Sequence, residues 1–123
     1  MPWELKSDRP IYLQLVEQMG RLVVSGIYKP GDKLPSVRDL ATEASVNPNT
    51  MQKALAELER MGLVYTNRTS GRFITEDEKM IKEMKLELAK EQLDEFLAKM
   101  KQLGFEKQET ISFLLKAAEE ANQ

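Results

Sequence analysis

Between residues 49 and 72 the sequence gathers side chains whose chemistry suits the edges and backbone of a nucleic acid. Asn49, Thr50, Gln52 and Lys53 fall close together. Their carboxamides can pair bidentately with adenine, the threonine methyl can meet a thymine methyl, and the ammonium can reach a guanine or a phosphate. Arg68 and Arg72 flank the turn Thr69-Ser70-Gly71. Either arginine can follow a narrow minor groove, which attracts cations, or stand as a solvated hairpin charge. Catalysis has much less to draw on. Cysteine and histidine are both absent, which removes thiolate nucleophiles, imidazole bases and the usual zinc ligands together. The remaining Asp, Glu, Lys, Ser and Tyr fall at spacings that suit solvated helix faces, and no phosphate-cradling or dinucleotide-binding glycine motif occurs. The sequence therefore reads as a binding protein without cofactor or metal, not as an enzyme.

Composition and charge bound the rest. The 123 residues, 41% hydrophobic and 31% charged, allow one compact domain and an appendage but no second full ligand-binding domain. Net charge is −2, yet residues 1–75 hold ten Lys/Arg against eight Asp/Glu and residues 76–123 hold eight against twelve. Contact with a polyanion thus belongs to the front of the chain. No apolar run approaches the roughly 18 residues of a membrane span, and Met1-Pro2-Trp3-Glu4 lacks the order of a signal peptide. These features predict a cytoplasmic protein without a membrane partner.

The nucleic-acid-facing residues need elements to hold them. From about Asp8 to Ser25, Ile11, Leu15, Met19 and Leu22, flanked by Tyr12, Val16 and Val23, trace a broad helical stripe that Gly26 stops. Tyr28 to Pro35 reads as a rigid connector with a turn. Ser36, with Asp39 three positions on, opens a second helix through a capping box and buries Val37, Leu40, Ala41 and Ala44. Asn47 can cap a third helix with Pro48 at its first position. There Met51, Ala54, Leu55 and Leu58 face inward, so Asn49, Thr50, Gln52, Lys53 and Ala56 face outward. Gly62 ends that helix, and Leu63–Asn67 with Arg72–Thr75 forms a hairpin. Two short helices joined by a tight turn and followed by a hairpin describe a winged helix-turn-helix, whose second helix is of a size to enter a major groove about 12 Å wide. Trp3 is expected to pack over the first helix or the tail.

Beyond residue 75 the pattern changes. Thr75 and Glu78 suggest another capping box, after which Leu86, Ala89, Leu93, Phe96, Met100 and Leu103 recur at three and four alternately as a heptad-like seam. Ile81, Met84 and Leu88 add a second edge. Gly104 breaks the chain, and Ile111, Leu114, Leu115 and Ala118 mark a final short amphipathic helix. The expected fold is mainly α with a small β-hairpin wing. Residues 1–75 form the winged helix-turn-helix and residues 76–123 a helical dimerisation region. Leu86, Leu93, Phe96, Met100 and Leu103 would expose a large apolar patch in a monomer, which makes a homodimer the economical expectation. A small-molecule effector is left open.

The order of these parts resembles the GntR-type bacterial regulators and, within them, the short YtrA-like subfamily. The likeness runs from Pro10-Ile11-Tyr12 and Gln14 through Gly31-Asp32-Lys33-Leu34-Pro35-Ser36-Val37-Arg38-Asp39-Leu40-Ala41 and Val46-Asn47-Pro48-Asn49-Thr50. It continues through Ala54-Leu55, Glu57-Leu58 and Gly62-Leu63-Val64 to Gly71 and Phe73-Ile74. The resemblance implies that Ser36 and Arg38 touch phosphate or a base at the groove edge, and that Asn47-Pro48-Asn49-Thr50 enters the major groove with Gln52 and Lys53 behind. It also implies that the wing around Gly71 approaches the minor groove. A repressor that binds double-stranded DNA at a palindromic operator follows as the expected function, with a neighbouring ABC transporter operon as the implied target. Pro48 departs from members that carry an arginine early in this helix, so base readout passes to Asn49 and Gln52. An interaction module that had lost DNA binding would show an acidic or apolar face here, and a carboxylate enzyme would show a cleft of perturbed acids; the sequence predicts neither.

Overall fold

Apolar residues at helical spacing decide how the front of the chain packs. The computed structural model describes residues 3–122, and in it α1 (Ile11–Val24), α2 (Val37–Ala44) and α3 (Pro48–Arg60) precede a hairpin of β1 (Val64–Asn67) and β2 (Gly71–Ile74). Leu15, Met19 and Val23 of α1, Leu40, Ala41 and Ala44 of α2, and Met51, Ala54, Leu55 and Leu58 of α3 meet in one buried cluster. Leu34, Leu63, Val64 and Ile74 complete it from the connector and the hairpin. Three helices around one core, closed by a two-stranded antiparallel sheet in which Val64 pairs with Ile74 and Asn67 with Gly71, give the mainly α winged helix-turn-helix.

The helix ends explain why this order of elements is stable. Ser36 Oγ accepts from the Asp39 N–H at 3.1 Å and Asn47 Oδ1 accepts from the Asn49 N–H at 2.8 Å, each satisfying a donor that the first helical turn leaves free. Between α2 and α3, Ser45 takes the left-handed conformation (φ 56°), which turns the chain sharply enough to set the second helix across the first. Gly62 (φ 84°) does the same after α3.

Two features of this unit depart from the expected pattern. Helix α1 begins at Ile11, not near Asp8. Arg9 precedes a proline, which disfavours the helical region, and the N-terminal segment is held by α1 itself. Gln14, a fully buried polar residue, accepts from the Lys6 N–H at 2.7 Å and donates to the carbonyls of Lys6 at 2.6 Å and Arg9 at 2.9 Å. One turn further, Gln18 pairs with the backbone N–H and C=O of Glu4. Four residues of helix rise about 6 Å and two residues of chain reach at most about 7 Å, so the two carboxamides match the backbone they grip. Trp3 packs against the core at the start of this segment.

The connector, second, is more than a turn. The N–H of Gly31 bonds the Ile74 carbonyl at 3.0 Å, Ile74 N–H bonds the Asp32 carbonyl at 2.8 Å, and Leu34 N–H bonds the Arg72 carbonyl at 2.9 Å. The segment before α2 therefore runs as a short third edge along β2, tying the wing to the N-terminus of α2.

Helix α4 (Glu78–Gln102) and α5 (Lys107–Ala121) follow. The expected Thr75–Glu78 box is not formed. Asp77 caps α4 instead, accepting from the Met80 N–H at 3.1 Å, while Thr75 Oγ1 accepts from Asp77 N–H. Two compact units divide at Lys85 and Leu86, and Met80, Ile81 and Met84 of α4 pack on the front core. In the second unit Gly104 (φ 95°) breaks the helix, Phe105 and Phe113 meet with ring centroids 5.7 Å apart, and Glu109 accepts from the Glu106 N–H at 3.0 Å to start α5.

Candidate nucleic-acid interface

The buried stripe of α3 fixes what its other side shows. Met51, Ala54, Leu55 and Leu58 are at most 1% exposed, and the turns between them carry Asn49, Gln52, Lys53 and Ala56 out to solvent, with Thr50 half-buried. The structure thus places Asn49, Gln52 and Lys53 on one open face. Pro48 sits exposed at the head of α3. Asn47 is exposed too, but its Oδ1 is engaged at the cap, so it positions the helix.

Ser36 and Arg38 stand exposed at the start of α2. Arg38 makes no ion pair among the described residues. A cleft of about 610 Å³ separates this edge from the wing; Lys33, Ser36 and Arg38 line it together with Ser70, Gly71 and Arg72. Gly71 holds φ 109°, a conformation that favours glycine, and a Cβ there would lie 3.2 Å from Cε of the Lys33 side chain, which runs against the wing backbone. Lys33 is a cation on this face that only the pairing of the connector with β2 brings there.

The two wing arginines separate. Arg68 is exposed on the hairpin turn, which Asn67 shapes by accepting from both the N–H and the hydroxyl of Thr69. Arg72 is half-buried and its Nη2 donates to Gln52 Oε1 at 3.3 Å. Across the sheet Tyr65 stacks on Phe73 at 5.6 Å, stiffening the hairpin that carries both. Lys53 is also held, its Nζ 3.9 Å from the centroid of the Tyr12 ring, in a cation–π contact with α1. At the far end of α3, Glu57 is kept below the usual carboxylate range by its hydrogen bond from Arg60; the pair braces the last turn.

In the second unit, Leu86, Leu93, Phe96 and Leu103 are exposed and Met100 is half-buried. Ile111, Leu114 and Leu115 of α5 are exposed as well. No cluster of metal-ligating side chains occurs among the described residues, and no helix is long and apolar enough to cross a membrane.

A helix-turn-helix whose second helix shows a polar face beside a cationic hairpin defines a winged-helix DNA-binding protein. The family model described as bacterial regulatory proteins, gntR family, matches residues 11–74, and the chain belongs to that family as a DNA-binding transcriptional regulator. It is 47% identical over 102 residues to the HTH-type transcriptional repressor YtrA of Bacillus subtilis, covering 82% of this chain and 78% of that one. Among solved structures, a GntR family transcriptional regulator from Listeria monocytogenes superposes with a TM-score of 0.83 at 40% identity, over 91% of this chain and 98% of that one. AraR(DBD) in complex with an operator matches with a TM-score of 0.53 at 27% identity, over 61% of this chain and 94% of that one. These relatives are regulators and not enzymes.

Proposed function

We propose that the chain is a repressor that binds a palindromic operator as a homodimer, reading the major groove with α3. The observation that carries this reading is the open face of Asn49, Gln52 and Lys53 on a helix whose opposite face is wholly buried. Such a helix is rigid enough to hold base-reading groups in place. Arg38 and the Ser36 hydroxyl, at the head of α2, contact phosphates or a base at the groove edge, and Lys33 adds a third group from the connector. Arg68, on the exposed turn, serves the minor groove. The dimer rests on the exposed Leu86, Leu93, Phe96 and Leu103 of α4 with half-buried Met100, because apolar side chains at this density call for a cover and a two-fold partner supplies the same face. Similarity to YtrA, named a repressor, favours repression. An ABC transporter operon as target rests on the subfamily resemblance alone.

The test is selection of bound sequences from a random duplex pool by the purified chain. The expected winners are inverted repeats with half-sites about one helical turn, or about 34 Å, apart. A pool that yields no enriched sequence overturns the proposal.

A further inference from the structure

The contact between Arg72 and Gln52 bears on what the recognition helix can read. An arginine guanidinium has only donors, so the atom of Gln52 that faces Arg72 must be its carbonyl oxygen, as found at 3.3 Å. The other end of the carboxamide, Nε2 with its two hydrogens, is left for an external partner. Arg72 is itself constrained. Its backbone is held by the Leu34 N–H, which its carbonyl accepts at 2.9 Å, and by pairing with Thr66 across the hairpin, while its Nε is buried without a hydrogen-bond partner among the described residues. A side chain seated in this way lies against α3 and does not reach along a minor groove.

Building on the proposed mode of DNA binding, we infer that Arg72 is a positioning residue that makes Gln52 a hydrogen-bond donor to the major groove. A bidentate pair with adenine needs both the oxygen and the nitrogen of the amide. With the oxygen turned to Arg72, the nitrogen addresses an edge made only of acceptors: O6 and N7 of guanine, or O4 of thymine; adenine sets beside its N7 acceptor an N6 amino group that the turned amide no longer meets. The wing and the recognition helix thereby act as one reader, and the base under Gln52 is chosen by a residue 20 positions away in sequence.

Selections from one random duplex pool by the wild type, Gln52→Ala, Gln52→Glu and Arg72→Met test this. The column that Gln52→Ala flattens marks the base under that side chain. There the wild type is expected to prefer guanine or thymine, and Arg72→Met is expected to shift the column toward adenine by about fivefold or more, the lower end of what one good base contact discriminates. Other columns stay as they were. Gln52→Glu lies on an exposed position, so its folding is secure. It keeps the contact with Arg72 but has no donor, and should turn the column toward cytosine or adenine, which offer an amino group. An adenine preference in the wild type, an Arg72→Met column that does not move, a uniform weakening of all columns, or an unchanged preference in Gln52→Glu overturns the inference. Those results leave the proposed operator binding standing, whereas a wild type that enriches nothing overturns both.

Discussion

Arg38 and Gln14 show how a single side chain can matter on the outside and on the inside of the same small body. Arg38 is exposed and makes no ion pair among the described residues, so its charge is available to a phosphate. Arg38→Ala should weaken binding to every duplex alike and lower the slope of log affinity against log salt by about one, measured by gel shift over a salt series. Gln14 is the opposite case, a buried amide satisfied by three backbone bonds to the N-terminal segment. Gln14→Ala should lower stability by about 1–3 kcal/mol, the cost of leaving buried polar groups unpaired, seen as a lower urea midpoint. Arg38 was singled out through the family resemblance, and its exposure is what local helix spacing allows. The role of Gln14 was not readable in the sequence, because an amide inside an apolar stripe looks like a break in the pattern until the chain that it grips is in view.

At the scale of elements, three helices and a hairpin were legible because periodicity and caps agreed: Ser36 and Asn47 do cap α2 and α3, and the stripe of α3 is buried as the spacing requires. What sequence did not reveal is long-range pairing. The connector lies along β2 and Arg72 lies on Gln52, and neither contact leaves a local signature. The start of α1 shifted because Arg9 precedes a proline, and the cap of α4 because Asp77, close to Thr75, offered an equivalent local signal. The turn between α2 and α3 carries a test of its own. Ser45 holds φ 56°, where a residue with a Cβ is disfavoured by about 1–2 kcal/mol and glycine loses about 0.5–1 kcal/mol through its greater freedom when unfolded. Ser45→Gly should therefore raise stability by about 0.5–1 kcal/mol in thermal melts and leave DNA binding intact.

For the whole molecule, the division at Lys85 and Leu86 separates a unit with a well-buried core from one whose large apolar side chains remain exposed. That imbalance supports a partner for the second unit. Leu93→Glu with Phe96→Glu should give a folded monomer by sedimentation, with affinity for a full inverted repeat reduced by about a hundredfold or more as the linked second head is lost; a dimer unaffected by both changes places the interface elsewhere.

Dimethyl sulfate footprinting of the purified chain on its enriched duplex asks whether α3 lies in the major groove, because the reagent marks guanine N7 there and adenine N3 in the minor groove. The predicted result is protection of guanine N7 in two half-sites about 10–10.5 base pairs apart, lost at one position per half-site in Gln52→Ala where the selected base under that side chain is guanine. Bound DNA with unchanged N7 reactivity in both half-sites would contradict it.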